Sequence, residues 1–291
     1  MEGTAISSQS FTGSKGTIHY LSGGPETGPL IIFVHGCPFP AITWRPQLQC
    51  FASLGFRVVA ADTTGYGDSY NSADVADYSM ESQVSDQLEL LSHVGREKAV
   101  FIGHDWGSAI VWSIAAHHQD KCLGVAALGI PYRTVELGLE KLVATVDRNL
   151  YPEDEYPYGQ WDYMVYYNQN TKDIEAYHAE HGDRLAKLFT MPYDGPIPPV
   201  QTPGVTASVT KSGGFFGGQA RRMCRWKPRS WTPPCTRQSS PVRESMAPLV
   251  RSLTIATMQQ MQHITMQRTA PMAPSSMFRV SIWIVARTCV P

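Results

Sequence analysis

The segment Gly103-His104-Asp105-Trp106-Gly107 constrains the fold most, because it places a carboxylate between two regular elements. The preceding run Ala99–Gly103 is apolar and predicts a buried parallel strand. From Ser108 to His118, apolar residues recur at the spacing of one helix face. The glycines on either side of Asp105 allow backbone segments to approach closely and permit a strained turn. The pattern predicts a strand–turn–helix nucleophile elbow whose apex side chain projects into a cleft.

The apex residue is an aspartate rather than a serine, and this changes the chemistry that the elbow can support. A carboxylate can attack a carbon by displacement and form an ester with it. Taken alone, the segment is also consistent with a chance glycine loop, or with Asp105 capping the helix that follows. Motifs elsewhere in the sequence distinguish between these possibilities.

Two further loops support the elbow. The motif His35-Gly36-Cys37-Pro38 directly follows the apolar run Leu30–Val34, and the loop Asp62–Ser69 follows the run Phe56–Ala61. These runs alternate with helical stretches such as Met80–Val94, which predicts a parallel sheet with helices on both faces. Ligands bind such sheets at the carboxyl ends of the strands, where all three loops fall.

Together the His-Gly-Cys-Pro motif, the segment Gly65-Tyr-Gly-Asp-Ser69 and the elbow make residues 17–131 resemble the α/β-hydrolase fold. The combination resembles the epoxide hydrolase branch of that family. An elbow with Asp followed by Trp is shared with haloalkane dehalogenases, so it implies a carboxylate nucleophile but not the leaving group. The implied fold class is α/β, with a mainly parallel sheet, helices on both faces and a partial helical lid.

The resemblance also implies an oxyanion hole made by two backbone N–H groups, which map onto Cys37 and Trp106. The ester formed on Asp105 is hydrolysed through a tetrahedral intermediate, and its oxyanion needs preorganised donors. On this reading Cys37 acts only through its amide. The other residues of the two motifs are interpreted as structural: His35, Gly36, Pro38, Gly103, His104 and Gly107.

The octet Gln160–Tyr167 resembles the first lid helix of epoxide hydrolases, in which a tyrosine donates a hydrogen bond to the epoxide oxygen. The matching residue is Tyr163, and a phenol suits this role because ring opening leaves an alkoxide. The alternative, an aromatic packing face at helical spacing, is preferred for Tyr166 and Tyr167. Dehalogenases hold halide with ring N–H or amide groups, often from the residue after His-Gly. Cys37 cannot serve in that way, so an epoxide is favoured.

The composition changes abruptly near residue 220. Residues 1–219 hold 13 basic and 24 acidic side chains, a net −11, whereas residues 220–291 hold 11 basic and 1 acidic, a net +10. All 24 glycines and all 13 tyrosines precede residue 220. Such a break inside one folding unit is atypical. It indicates either a basic arm that binds nucleic acid or other acidic partners, or the right gene read in the wrong frame.

The genetic code favours the second explanation. Read one nucleotide earlier, the codons of Met258–Gln267 force alanine wherever Gln follows Met, as in the Asn/Ala-rich start of the last lid helix of epoxide hydrolases. The same shift permits an apolar strand closing on an acid at Met277–Ile284. It permits a Pro-rich segment and an acidic helix at Trp226–Arg237. We therefore hypothesise a frame change near residues 219–222.

The predicted organisation is a hydrolase core at 1–131, a lid at 132–219 and an out-of-frame or disordered basic tail at 220–291. The C-terminal part of the fold is thus expected to be missing. The family needs a histidine after the last core strand to activate water, and an acid to orient it, but neither has a matching position here. The written chain is therefore expected to be inactive.

The remaining expectations concern partners and location. No apolar run approaches the ~18 residues of a membrane span, and the N-terminus lacks the pattern of a signal peptide. Six cysteines at irregular spacing favour a reducing compartment, so a cytoplasmic location is predicted. The predicted partners are a small-molecule epoxide and water, with no cofactor, metal, nucleic acid or membrane. The alternatives are a haloalkane or haloacid dehalogenase, and a non-catalytic ligand-binding protein with a basic tail.

Overall fold

The computed structural model describes residues 5–174, residue 176 and residues 203–214. These residues fall into two compact units, one ending at Glu136 and the other beginning at Leu137. The hypotheses about residues 220–291, including the reading-frame change and the missing base, lie outside the described residues. The division into core, lid and tail stays a prediction.

The first unit is built on a six-stranded sheet in the order β1-β2-β4-β3-β5-β6. Strands β3 to β6 run parallel to one another, whereas β1 and β2 form an antiparallel hairpin whose second strand, β2, pairs antiparallel with β4. This confirms the predicted α/β class with a mainly parallel sheet. The strands are β1 (Ile6–Thr12), β2 (Thr17–Gly23), β3 (Leu30–Val34), β4 (Arg57–Ala61), β5 (Ala99–His104) and β6 (Cys122–Leu128).

Among the described residues, both units contain helices. The helices of the first unit are α1 (Arg45–Ser53), α2 (Met80–His93) and α3 (Trp106–His117). The helices of the second unit are α4 (Gly138–Ala144) and α5 (Asp162–Gln169). Helix α3 begins two residues before the predicted start, directly after Asp105, so the turn at the elbow is tighter than the sequence pattern indicates.

The core of the first unit lies on both faces of the sheet. Along β3, Leu30, Ile32 and Val34 pack on the side that carries α2 and α3. The alternate residues Ile31 and Phe33 pack on the side that carries α1. A strand buried on both faces needs a continuous apolar run. Such runs in the sequence therefore predict β3 and its parallel neighbours.

The register of β3 and β5 positions the site. Val34 pairs with Gly103, so the two strands end side by side. The His-Gly-Cys-Pro loop after β3 and the elbow after β5 therefore meet at the carboxyl edge of the sheet, where parallel sheets bind ligands.

Candidate active site

Asp105 occupies a strained turn between β5 and α3. Its backbone angles are φ 53° and ψ −124°, in the left-handed half of φ space that a residue with a side chain rarely adopts. The backbone is held on both sides. The Asp105 N–H donates to the Leu128 carbonyl at 2.9 Å, and the Ser108 N–H donates to the Asp105 carbonyl at 2.8 Å. Strand β6 and the first turn of α3 thus fix the apex.

Three glycines make the close approach around this apex possible. A Cβ on Gly103 would lie 2.2 Å from the Gly107 carbonyl oxygen, and one on Gly107 would lie 2.2 Å from the Val34 carbonyl oxygen. A Cβ on Gly36 would lie 2.5 Å from the Asp105 Cβ. The backbones of β3, β5 and α3 are therefore in direct contact, and side chains at these positions would force them apart.

The two backbone amides assigned to the oxyanion hole both face the Asp105 carboxylate. The Cys37 N–H donates to Asp105 Oδ1 at 2.9 Å. The Trp106 N–H also forms a hydrogen bond with the carboxylate. Two backbone donors on one carboxylate are the kind of arrangement that can stabilise negative charge on an oxygen bound to that carbon.

Burial raises the pKa of the Asp105 carboxyl group above its ordinary value, although the Trp106 and Cys37 amides and the charge of His104 act to lower it. The carboxylate is largely buried, and the loss of solvation disfavours its charged form, so desolvation is the largest influence on its pKa. A protonated carboxylic acid cannot attack carbon, so the raised pKa narrows the pH range in which Asp105 could act as a nucleophile.

We expect the rate of covalent modification of Asp105 by an epoxide to rise with pH through this raised pKa and then to level off. Below the pKa the rate should fall about tenfold per pH unit, because only the ionised fraction reacts. The measurement is the rate of mass gain under single-turnover conditions across the acidic range. A midpoint below the ordinary value for an aspartic acid would contradict the assignment.

His35 is buried and uses both ring nitrogens within the fold. Its Nδ1–H donates to the Gly36 carbonyl at 3.1 Å, and its Nε2 accepts the Thr63 N–H at 3.0 Å. Burial lowers the pKa of His35, which agrees with a neutral ring. His104 is different: it ends β5 with an exposed side chain, and its charge acts on Asp105. The peptide bond between Cys37 and Pro38 is cis.

Sequence reasoning missed the part that Asp62 plays beside the site. Its side chain is 5% exposed; Oδ1 accepts the Ala41 N–H at 2.7 Å and Oδ2 lies 2.7 Å from His19 Nδ1. Through these hydrogen bonds, the Asp62 carboxylate in the loop after β4 contacts both β2 and the segment after the His-Gly-Cys-Pro motif. The available signal was an acid placed directly after a buried apolar strand.

In the second unit, Tyr163 lies in the first turn of α5 and is half-buried. The preceding residue, Asp162, is 5% exposed and its Oδ2 accepts the Thr210 N–H at 2.7 Å. This bond holds the start of α5 against residues 205–214. The structure thus brings Cys37, Asp105 and Trp106 together in the first unit and gives Tyr163 a fixed helix in the second.

Two properties of the described residues concern other kinds of site. No helix among them combines the length and apolar character needed to cross a bilayer. Across the same residues, no group of three or more His, Cys, Asp or Glu side chains is arranged to hold a metal ion.

Comparison with known proteins agrees with this fold. The profile of the α/β hydrolase fold matches residues 29–184. Bifunctional epoxide hydrolase 2 of Sus scrofa is 30% identical over 201 residues, covering 69% of this chain and 33% of that protein. Epoxide hydrolase B of Mycobacterium tuberculosis is 37% identical over 121 residues, covering 40% of this chain and 34% of that protein. The chain thus spans about a third of the length of these relatives.

Among solved structures, epoxide hydrolase A from Mycobacterium thermoresistibile matches 89% of this chain and 75% of its own, with a TM-score of 0.63 and 23% identity. At that identity the similarity establishes the fold alone. With more than half of its length matched by the family profile, the chain belongs to the α/β-hydrolase fold family and is epoxide hydrolase-like in sequence.

Proposed function

We propose that this chain carries the nucleophile half of an epoxide hydrolase, which opens an epoxide to a diol through an ester on Asp105. The observation that carries the proposal is the elbow: a carboxylate on a strained turn, hydrogen-bonded by the Cys37 and Trp106 amides. The sequence similarity to epoxide hydrolases from Sus scrofa and Mycobacterium tuberculosis supports the same chemistry.

In the first step, an oxygen of the Asp105 carboxylate attacks one carbon of the epoxide ring. The bond between that carbon and the ring oxygen breaks, and the oxygen takes the electron pair as an alkoxide. We assign Tyr163 as the residue that donates a proton to this oxygen, since a phenol can stabilise or protonate an alkoxide. The product is a hydroxyalkyl ester of Asp105.

In the second step, water attacks the carbonyl carbon of the ester. The resulting oxyanion would be stabilised by the Cys37 and Trp106 amides, and its collapse releases the diol and restores the carboxylate. This step requires a base that activates water, and the family supplies a histidine for it. The sequence has no matching histidine, so we propose that the chain as written stops at the ester.

The reading-frame hypothesis accounts for that missing base. The nucleotide sequence of the transcript around codons 215–225 tests it directly. A change of one nucleotide, or a moved splice boundary, should restore an open frame that ends in a strand, an acid and a later histidine. An uninterrupted transcript whose other frames all reach stop codons in this region would refute the hypothesis.

A dehalogenase is the second candidate, because its nucleophile would be the same Asp105 on the same elbow. The two candidates differ in the leaving group: an epoxide oxygen needs a proton donor such as Tyr163, whereas a halide needs N–H donors. A non-catalytic ligand-binding protein with a basic tail is the third. It predicts no covalent product and salt-dependent binding to an acidic partner.

We expect the chain as written to gain the mass of one epoxide molecule and to release no diol. The restored-frame protein should instead convert aryl or alkyl epoxides to diols repeatedly, because its base completes the second step. Intact mass spectrometry and diol analysis measure the two outcomes. Faster turnover of haloalkanes than of epoxides would replace the assignment by a dehalogenase. The absence of both adduct and turnover would favour the non-catalytic protein.

A further inference from the structure

Ser8, His19 and Asp62 form a line of hydrogen-bonded side chains on the α1 side of the sheet, in the first unit. Ser8 Oγ lies 2.6 Å from His19 Nε2, and His19 Nδ1 lies 2.7 Å from Asp62 Oδ2. A hydroxyl, an imidazole and a buried carboxylate in this order are the arrangement of an activated serine nucleophile. None of the three takes part in the chemistry proposed for Asp105.

The acid of this line is fixed and ionised. Asp62 is buried, and because its Oδ1 accepts the Ala41 N–H at 2.7 Å, Oδ2 is left to face His19. Burial acts to raise the pKa of Asp62, but the hydrogen bonds from His19 and from the Ala41 amide act to lower it, and the pKa lies below its ordinary value. A carboxylate so held can orient an imidazole and stabilise it when it gains a proton.

The imidazole is equally constrained. The His19 backbone N–H donates to Ser69 Oγ at 3.0 Å, and its carbonyl accepts the Asp62 N–H at 3.0 Å. His19 as a whole residue is 9% exposed. In the neutral ring with Nδ1–H donating to Asp62, Nε2 is an acceptor for the Ser8 hydroxyl. His19 is therefore placed to take the proton of Ser8.

The hydroxyl is accessible, because Ser8 is exposed on β1, the last strand at its side of the described sheet. Ser10 lies opposite His19 and Ser8 opposite Leu21. The backbone N–H and carbonyl of His19 form their hydrogen bonds on the β4 side of β2, so they do not bond to β1. In an antiparallel ladder the residues opposite such positions, here Ser10 and Ser8, direct their own N–H groups away from β2. Among the described residues no strand pairs with this edge of β1, so the Ser8 N–H could donate there to a carbonyl oxygen, as an oxyanion donor.

We propose that Ser8, His19 and Asp62 form a second nucleophilic site, at which Ser8 accepts the acyl group of a small activated ester. Ser8 Oγ attacks the carbonyl carbon while its proton passes to His19 Nε2. The tetrahedral intermediate then collapses, and the bond to the alcohol oxygen breaks. The leaving alcohol takes the proton from His19, and acyl-Ser8 remains.

The test uses the full chain with Asp105→Ala, so that the proposed epoxide nucleophile is absent. We expect a fluorophosphonate probe to modify Ser8, located by peptide mapping, with loss of fluoride. With p-nitrophenyl acetate we expect a burst of about one nitrophenolate per chain. Ser8→Ala should lower both signals at least about tenfold, whereas the neighbouring Ser10→Ala, on the same face of β1, should keep them.

The role of His19 has its own readout. His19→Gln should abolish the labelling of Ser8. Should that variant fail to fold, the pH profile of labelling in the Asp105→Ala chain decides. The acidic groups that act on His19 are Asp62, through a hydrogen bond and its charge, and Asp68, and together they outweigh burial and raise the pKa of His19. Labelling should therefore rise with pH, with a midpoint above the ordinary value for a histidine.

Labelling of Ser8 no faster than that of Ser10, or a burst that survives Ser8→Ala, would overturn the proposal. A pH profile of labelling with no midpoint above the ordinary pKa of histidine would overturn the role of His19. The proposed epoxide chemistry is unaffected by either result, since it is measured on Asp105 in a chain that keeps Ser8.

Discussion

Replacing Asp105 by alanine is expected to abolish the covalent epoxide adduct of the chain as written and the diol production of the restored-frame protein. The reason is that no ester can form without the carboxylate, whatever the other groups contribute. The loss in rate should be at least about 10⁴-fold, as for other residues that act as the nucleophile. Intact mass and diol formation measure the two effects.

Two further variants sharpen this test. Asp120→Ala removes an acid whose side chain is 71% exposed, and it should leave adduct formation unchanged. Asp105→Asn is the softer variant, because an amide at such a site can deamidate slowly and regain activity. An adduct on Asp105→Ala, mapped to another residue at the original rate, would show that the elbow does not carry the nucleophile.

Replacing Gly107 by alanine is expected to destabilise the first unit severely. The new Cβ would lie 2.2 Å from the Val34 carbonyl oxygen and 2.6 Å from that of His35, and backbone atoms cannot rotate away. We expect a loss of about 3 kcal/mol or more in the free energy of unfolding, a large share of a typical domain's stability. Urea denaturation followed by tryptophan fluorescence measures it.

Gly124→Ala is the matched control, since its Cβ would meet nothing closer than the Val100 Cγ2 atom at 4.0 Å. This variant should change the free energy of unfolding by less than about 1 kcal/mol, and the direction should be toward stability in a strand. Equal losses in the two variants would mean that the approach of α3 to β3 does not limit stability.

The sequence predicts β3 and β5 well because each contains a continuous apolar run: β3 is buried on both faces, and in β5 buried residues alternate with partly buried apolar ones. It does not predict β1, whose residues Ser7 to Ser10 are polar and exposed, because pairing with β2 rather than burial makes that segment a strand. Helix α3 starts earlier than its periodicity indicates, since Trp106 and Gly107 follow a turn fixed by backbone contacts.

For the site, the motifs predict Asp105 and its two amide donors because the elbow and the His-Gly-Cys-Pro loop are each formed by residues close together in the sequence. The position of Asp62 directly after an apolar strand was a signal for it, but its partners could not be predicted, since they come from three segments that only the folded chain brings together. The same is true of Ser8, which has no motif around it and whose partner His19 comes from another strand. The role of Tyr163 stays a prediction.

The close approach of the backbones at the elbow involves Gly103, Gly107 and the ends of β3 and β5, and the side chain at position 105 takes no part in these contacts. In evolutionary terms, that position can exchange one class of nucleophile for another without remodelling the scaffold. A hydroxyl, a thiol or a carboxylate would be presented to the same pair of amides. A single substitution at position 105 could therefore change the reaction while the fold is retained.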